Sequence, residues 1–218
     1  MAKEIAKAAN DKPKAFFKKI SENFDEGSRA LVAGKVLLHS RNVEIDKIAE
    51  VIGGKEQVAL DCLAAFLERQ DYSDKHIEHR LRSFMKTFRM AGVESQVIFR
   101  ILEQYGHKAF EMDPETCFAD KQEYYDFSYM LIVLHTQQHN KAIKQKSNLA
   151  LFQGQAKEMV PKSYDNLPAD LVESCFQKIT EKEIKAPVSR NLLVSAFDFS
   201  EMSQEIRLRQ IRQEAADS

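Results

Sequence analysis

Long apolar runs are absent from this 218-residue sequence. A membrane-spanning helix needs about 20 predominantly apolar residues, and no stretch of even about 18 occurs in the sequence. The N-terminal segment MAKEIAKAANDKPK mixes charged and small residues and lacks the apolar core of a secretory signal. The sequence therefore predicts a cytosolic protein without a transmembrane segment.

Cysteine, glycine, proline and net charge are also scarce. Three cysteines, an odd number without the spacing of a metal site, fit a reducing compartment and are expected to pack as small apolar residues. Seven glycines and five prolines are few for a chain of this length. The net charge of −1 gives no electrostatic reason to expect nucleic acid as a partner.

Helical periodicity is what the sequence does contain. Apolar residues recur at helical spacing along the chain and strand-like alternation is missing, which predicts an all-α fold of about ten helices. A solenoid of helical hairpins is an alternative, although no repeat of fixed period is present. The clearest predicted helices cover residues 28–38, 42–52, 58–67, 73–88, with Ser73 as N-cap, and 120–140.

The stretch from Leu81 to Tyr105 holds a single acid between two apolar helices. Its first part carries large apolar residues at positions i, i+3, i+4 and i+7, which lie on one helical face. Ala91-Gly92 interrupts this pattern, and apolar spacing resumes at Val97. Glu94 lies in the connection, where its simplest role is to complement the dipole of the second helix.

The order of residues in this stretch resembles motif 1 of the Sec7 domain, the catalytic module of Arf guanine-nucleotide exchange factors. Two departures from the family pattern occur in the connection. Ala91 stands where the family has proline, and Val93 is an additional residue. The residues that carry the resemblance are Leu81-Arg82, Phe84-Met85, Phe88-Arg89-Met90, Gly92, Glu94-Ser95-Gln96, Ile98 and Arg100-Ile101-Leu102-Glu103.

The end of the helix predicted for residues 120–140 resembles motif 2 of the same family. Leu134, Thr136, His139 and Asn140 match, whereas His135 stands where asparagine is usual. His135 and His139 also have the i, i+4 spacing of helical metal ligands. The sequence between them lacks the glutamate of a zinc hydrolase and no third ligand follows, so we expect neither a metal nor another cofactor.

The resemblance extends roughly from Lys12 to Pro187. It implies a Sec7-like domain over residues 1–188, followed by a helical extension, or the stub of a longer chain, over residues 189–218. It also implies a right-handed superhelix with an apolar groove beside the loop that carries Glu94. By the resemblance Glu94 is the catalytic residue, and the residues that contact the GTPase are Phe88, Arg89, Gln96, Tyr129, Met130, Ile132, Val133, Thr136, His139 and Asn140.

The implied function is guanine-nucleotide exchange on an Arf-family small GTPase, which would be bound in its GDP-bound and nucleotide-free forms. No covalent chemistry is involved. The resemblance further implies a role in vesicle trafficking and peripheral recruitment from the cytoplasm to Golgi or endosomal membranes. An exchange-inactive Sec7-like scaffold that binds a GTPase or another protein is the alternative, favoured by Val93, by His135 and by the loss of the family pattern after Phe152.

Overall fold

The computed structural model describes residues 1–90 and 92–185. These residues form ten α-helices and one short 3₁₀ turn, and they contain no β-strand, which confirms the predicted all-α class. The helices are α1 (Ala2–Asp11), α2 (Pro13–Asn23), α3 (Glu26–His39), α4 (Ile45–Ile52), α5 (Gln57–Leu67), α6 (Ile77–Phe84), α7 (Ser95–Glu111), α8 (Lys121–His139), α9 (Leu149–Met159) and α10 (Leu171–Glu181).

The described residues divide into two compact units. Helices α1 to α5 belong to the first unit, Met1–Arg69, and helices α6 to α10 belong to the second, which begins at Gln70. The C-terminal extension predicted for residues 189–218 lies outside the described residues.

Local sequence signals set the ends of the helices in the first unit. Pro13 occupies the start of α2, where the missing N–H has no helical partner to lose. The Asp25 carboxylate accepts a hydrogen bond from the backbone N–H of Ser28 at 3.1 Å, so α3 begins two residues earlier than predicted. Helix α4 ends at Ile52, directly before Gly53, as predicted.

One side-chain amide joins the end of α1 to the start of α4 in the first unit. Asn10 Nδ2 donates to the carbonyl oxygen of Asn42 at 2.8 Å, and its Oδ1 accepts from the backbone N–H of Glu44 at 2.8 Å. Both polar ends of the side chain are therefore satisfied. The helices close over a core that includes Ile5, Phe16, Ile20, Leu37, Ile48, Cys62, Leu63 and Phe66, each 1% exposed or less.

Helix α8 is the centre of the second unit and packs against α6, α7, α9 and α10. Burying one large apolar side chain contributes roughly 1.5–3 kcal/mol, before the loss of conformational entropy is counted. The residues that are 1% exposed or less include Ile101, Leu102, Tyr105, Phe127, Leu131, Leu134, Phe152, Cys175 and Ile179. Four helices thus share one core with α8.

Buried charged groups in the second unit have specific partners. Glu123 is 4% exposed, and its carboxylate accepts from the backbone N–H of Lys162 at 2.8 Å and from the Ser163 hydroxyl. Arg80, also 4% exposed, donates through Nη1 to Asp113 Oδ2 at 2.6 Å. Such pairs avoid the desolvation cost of an unpaired buried charge.

Helix α6 differs from its prediction at both ends. Its N-cap is His76, whose Nδ1 accepts from the Glu78 N–H at 3.3 Å, whereas the Ser73 hydroxyl donates to Asp71 Oδ1 at 2.6 Å. The helix ends at Phe84 rather than continuing to Phe88. The Thr87 hydroxyl donates to the Phe84 carbonyl oxygen at 2.7 Å, and this local bond favours a turn over further helix.

The three cysteines are free. Cys62 and Cys175 are buried, as expected for small apolar packing, and burial raises the pKa of both thiols, whereas Cys117 is partly exposed. Among the described residues, no helix combines the length and the apolar character needed to cross a membrane.

We predict that Gly106→Ala destabilises the second unit. A Cβ at position 106 of α7 would lie 2.8 Å from both Cα and Cβ of Tyr125 on α8, and backbone atoms cannot move aside independently. Overpacking costs about 1–3 kcal/mol, more than the roughly 1 kcal/mol by which alanine favours a helix. We expect urea denaturation of the variant to show a lower midpoint.

Gly154→Ala is the matched control for this prediction. Gly154 lies within α9, and a Cβ there would meet no atom within 4 Å. The same chemical change should therefore leave the unfolding midpoint unchanged or raise it. Equal effects of the two substitutions would show that close packing of α7 and α8 does not require glycine at position 106.

Candidate functional site

A cluster of three aromatic residues fixes both ends of the segment that carries Glu94. Phe84, the last residue of α6, stacks on Tyr105 of α7 with a ring-centroid distance of 4.1 Å and an interplanar angle of 7°. Phe88 packs edge-on against Phe84 at 5.1 Å. Each of the three side chains is 1% exposed. Stacked and edge-on aromatic pairs contribute roughly 0.5–1.5 kcal/mol beyond their buried area, so the segment between α6 and α7 has anchored ends.

A tight turn precedes Glu94. The backbone N–H of Val93 donates to the carbonyl oxygen of Met90 at 3.1 Å, and Gly92 has φ = 83°. A positive φ at the third residue of a four-residue turn is typical of type II turns and strongly favours glycine. The additional residue Val93 is therefore the residue whose N–H closes this turn.

Glu94 is the N-cap of α7. Its carbonyl oxygen accepts from the backbone N–H groups of Val97 at 3.0 Å and Ile98 at 3.2 Å, but its carboxylate accepts no hydrogen bond from the first turn of the helix. The side chain is exposed. The simplest role for this acid is to stabilise the start of the helix through its carboxylate. In the structure the backbone of Glu94 makes the hydrogen bonds at the helix start, and the carboxylate lies at the surface.

One stripe of α8 is partly exposed although the helix is otherwise deeply packed. Tyr129, Ile132, Val133 and Thr136 follow the spacing i, i+3, i+4 and i+7, which places them on a single helical face. The first three are partly exposed and Thr136 is exposed, with its hydroxyl donating to the Ile132 carbonyl oxygen at 3.0 Å. We call these four residues the α8 strip.

Phe99 of α7 extends the apolar surface of the α8 strip and is absent from the set of residues predicted from the sequence. Its side chain is 41% exposed, and its ring packs edge-on against Tyr129 at a centroid distance of 5.5 Å. Phe99 follows Glu94 by five residues, which is about 7–8 Å along the helix axis. The sequence does indicate an exposed Phe99, because this phenylalanine lies outside the apolar face of the helix. That face is formed by Ile98, Ile101, Leu102 and Tyr105.

Two of the expected contact residues are core residues. Phe88 is 1% exposed and Met130 is 4% exposed. Phe88 packs in the aromatic cluster, and Met130 lies on the side of α8 that faces the interior of the unit. Neither side chain lies at the surface, so both pack within the elements that carry the site, and their direct contact with a partner stays a prediction.

The other expected residues lie on the same elements but differ in their surroundings. Arg89 is partly exposed between α6 and the turn, and Gln96 is exposed in the first turn of α7. Asn140 is the exposed C-cap of α8, and its Oδ1 accepts from the backbone N–H of Ala142 at 2.9 Å. Asn140 thereby shapes the turn after α8.

His139 serves the packing of the second unit. Its Nε2 lies 2.6 Å from the carbonyl oxygen of Ile179, to which it donates, and so it ties the end of α8 to α10. The His135 ring lies 5.1 Å from the His139 ring, and its Nε2 is buried without a protein partner. Burial lowers the pKa of His135, because desolvation disfavours the charged imidazolium.

Comparison with known proteins places residues 1–184 in the Sec7 domain family. One relative is the ankyrin repeat, PH and SEC7 domain containing protein secG of Dictyostelium discoideum, which is 32% identical over 155 residues, covering 71% of this chain and 15% of the relative. Another is the ADP-ribosylation factor guanine nucleotide-exchange factor SEC7 of Saccharomyces cerevisiae, 29% identical over 177 residues, covering 81% of this chain and 9% of the relative. The chain thus spans less than a sixth of the length of either relative.

Solved structures agree with the sequence comparison. The Sec7p catalytic domain superposes with a TM-score of 0.70 and 26% identity, covering 83% of this chain and 94% of that chain. A Sec7 domain bound to ARF1-GDP and complexed with Brefeldin A has the same fold, with a TM-score of 0.69 and 18% identity, covering 85% of this chain and 92% of that one. The match over residues 1–184, the helices and both motifs lead to one conclusion: the chain belongs to the Sec7 domain family.

Proposed function

We propose that this chain promotes release of GDP from an Arf-family small GTPase and that Glu94 is its glutamate finger. The observation that carries the proposal is the state of the Glu94 side chain. It is exposed, it takes no part in capping the helix that it begins, and it follows a turn whose flanks are anchored by Phe84 and Tyr105. Homology to Arf exchange factors supports the choice of partner.

The proposed mechanism is electrostatic and forms no covalent bond. A carboxylate placed about 4 Å from a phosphate charge raises the free energy of the bound nucleotide by about 4 kcal/mol at an effective dielectric constant of 20. That is roughly a thousandfold weakening of nucleotide binding. The resemblance to the family implies that Glu94 also offers the phosphate-binding lysine of the GTPase a replacement partner, so the nucleotide-free GTPase is stabilised.

Glu94 is the only carboxylate between Arg89 and Arg100. The Glu94 side chain is exposed and makes no capping hydrogen bond to α7, so its negative charge lies at the surface beside the turn. A phosphate group at the turn would therefore meet the carboxylate first. This is the arrangement that the repulsive mechanism requires.

The α8 strip and Phe99 are the proposed docking surface for apolar residues of the GTPase. Tyr129, Ile132 and Val133 offer partly exposed apolar area beside the exposed Phe99 ring. Removing such area from water contributes roughly 25 cal/mol per Å², and exposed aromatic anchors are enriched among residues that dominate binding energy. Thr136 and Asn140 supply polar contacts at the margin of this surface.

Release of the exchange factor follows from reciprocal coupling between the two ligands of the GTPase. If the bound factor weakens nucleotide binding by a given ratio, bound nucleotide weakens binding of the factor by the same ratio. Fresh nucleotide therefore displaces the chain from the GTPase. We further propose that exchange takes place at Golgi or endosomal membranes, to which the protein is recruited peripherally from the cytoplasm.

A second candidate function is a Sec7-like scaffold that binds the GTPase without exchanging its nucleotide. The observation in its favour is the turn itself, in which Ala91 replaces the usual proline and Val93 is additional. A turn with one more residue could direct Glu94 away from the phosphate while leaving the α8 strip intact. Separate measurements of docking and exchange distinguish the two candidates.

We predict that Glu94→Lys and Val133→Asp separate exchange from docking. Glu94→Lys should lower the rate of fluorescent GDP release by at least about 100-fold, because lysine attracts the phosphate, whereas GTPase binding should persist. Val133→Asp should lower both, since desolvating an unpaired charge at the interface costs several kcal/mol. Stopped-flow nucleotide release and titration with nucleotide-free GTPase provide the two readouts.

Glu158→Lys and Leu151→Asp are the matched controls. Both residues are exposed on α9, outside the turn and the α8 strip, and they reproduce the two changes in charge. Neither should alter exchange or docking. Exchange by Glu94→Lys at the parental rate would refute the finger and favour the scaffold.

Deleting Val93 should lower the rate of exchange. The Val93 N–H closes the turn onto the Met90 carbonyl oxygen, and deletion removes that hydrogen bond and shifts the start of α7. Val93→Ala retains the backbone N–H and should exchange nucleotide at close to the parental rate. A large gain of activity on deletion would show instead that the additional residue holds Glu94 out of position.

A further inference from the structure

Two histidines and a buried glutamate meet at the start of α6. One potential ligand atom from each of His76, Glu78 and His79 lies within 4.8 Å of the other two. We propose that these residues, which we call the α6 trio, form a binding site for one divalent transition-metal ion of the zinc class. This site is separate from the His135 and His139 pair considered above and does not depend on the proposed exchange activity.

The two oxygens of the Glu78 carboxylate have different neighbours. The residue is 1% exposed, and its Oε1 accepts from Arg82 Nε at 2.8 Å. Its Oε2 lies 3.6 Å from His79 Nε2. Tetrahedral zinc with ligand bonds of about 2.0–2.2 Å has neighbouring ligand atoms about 3.4 Å apart, so this pair already has nearly the required separation.

His79 is oriented as a metal-binding imidazole usually is. Its Nδ1 lies 3.0 Å from Asp74 Oδ2, and a hydrogen bond there requires the proton on Nδ1. The lone pair is then on Nε2, the atom that faces Glu78. A carboxylate on the far nitrogen fixes the tautomer and raises the basicity of the ligating nitrogen, as at many zinc sites.

His76 completes the set. Its Nε2 lies 3.2 Å from the Ser174 hydroxyl, and its Nδ1 accepts from the Glu78 N–H over the longer distance of 3.3 Å. A metal bond through Nδ1 would replace only this longer contact, while Nε2–H remains on Ser174. Closing the trio from 4.8 Å requires shifts of about 1 Å, which side-chain rotation supplies for a residue at the helix cap.

The charges around the trio are close to balanced, so the chemistry of its ligands decides which cation it would bind. Asp74 and Glu78 contribute two negative charges and Arg82 contributes one positive charge. Two imidazoles with one carboxylate select zinc, copper, nickel or cobalt over magnesium and calcium, which prefer oxygen ligands. Lys178 and the positive end of the α6 dipole oppose a cation, so we expect weaker binding than at a closed four-ligand site.

Calorimetric titration of the full chain with Zn²⁺, after removal of metal by a chelator, tests the proposal. We expect one ion per chain and, with Co²⁺, a visible absorption band of tetrahedral geometry. His79→Ala should weaken binding by more than tenfold, and Asp74→Asn by about tenfold through loss of the supporting carboxylate. His135→Gln is the control and should bind as the parent does. Equal affinity of the parent and His79→Ala would overturn the proposal.

The unmodified protein provides a second test that no folding defect can obscure. The His79 side chain is 44% exposed, so His79→Ala removes little packing. Broadening of NMR signals by substoichiometric Ni²⁺ needs no substitution and therefore tests the site in the parent protein. We expect the ring signals of His76 and His79 to disappear first. Preferential broadening of His135 and His139, or uniform broadening of all six histidines, would overturn the assignment.

Discussion

The stack of Phe84 on Tyr105 is the contact on which the candidate site depends. It joins the last residue of α6 to the third turn of α7, and the two rings lie nearly parallel at 4.1 Å. Because Phe88 packs against the same ring, the chain between the two helices leaves and enters the core at fixed points. The turn that precedes Glu94 can therefore be short and exposed without being loosely attached.

Close approach of α7 and α8 is the second constraint, and Gly106 permits it. The absence of a side chain at Gly106 brings the α7 backbone against Tyr125, and the same pair of helices places Phe99 beside Tyr129. A wider separation would part these two rings and divide the exposed apolar surface. The packing of one glycine thus influences a surface more than a full helical turn away along α7.

Much of this fold could be predicted from apolar spacing and caps, and the errors have local causes. Helix α8 begins at Lys121, one residue after the predicted start, and the Asp120 carboxylate accepts from the Glu123 N–H at 2.9 Å. Helix α6 ends before its apolar stripe does, because a turn stabilised by Thr87 also buries Phe88. Periodicity reports which residues are buried, and a helix is only one way to bury them.

The candidate site was less predictable because exposure is a tertiary property. Residues 127 to 134 are almost wholly apolar, so the pattern alone cannot tell that Phe127 is enclosed whereas Ile132 and Val133 are partly exposed. Only the resemblance to the Sec7 family selected the exposed positions, and it included Met130, which is buried. Phe99 was not predicted because its exposure depends on where α8 packs against α7, which the sequence of α7 does not show.

The charged residues of α6 explain how a short helix holds its orientation between larger neighbours. Arg82 donates to Glu78 and to the carbonyl oxygens of Lys182 at 3.0 Å and Glu183 at 2.9 Å, at the end of α10. Arg80, also on α6, donates to the Asp113 carboxylate. Apolar contacts alone tolerate sliding of one helix on another, whereas these bonds are satisfied in a single register. Because buried pairs add little net stability after desolvation, we infer that the bonds from α6 to other elements mainly specify the position of α6 and, through Phe84, of the turn before Glu94.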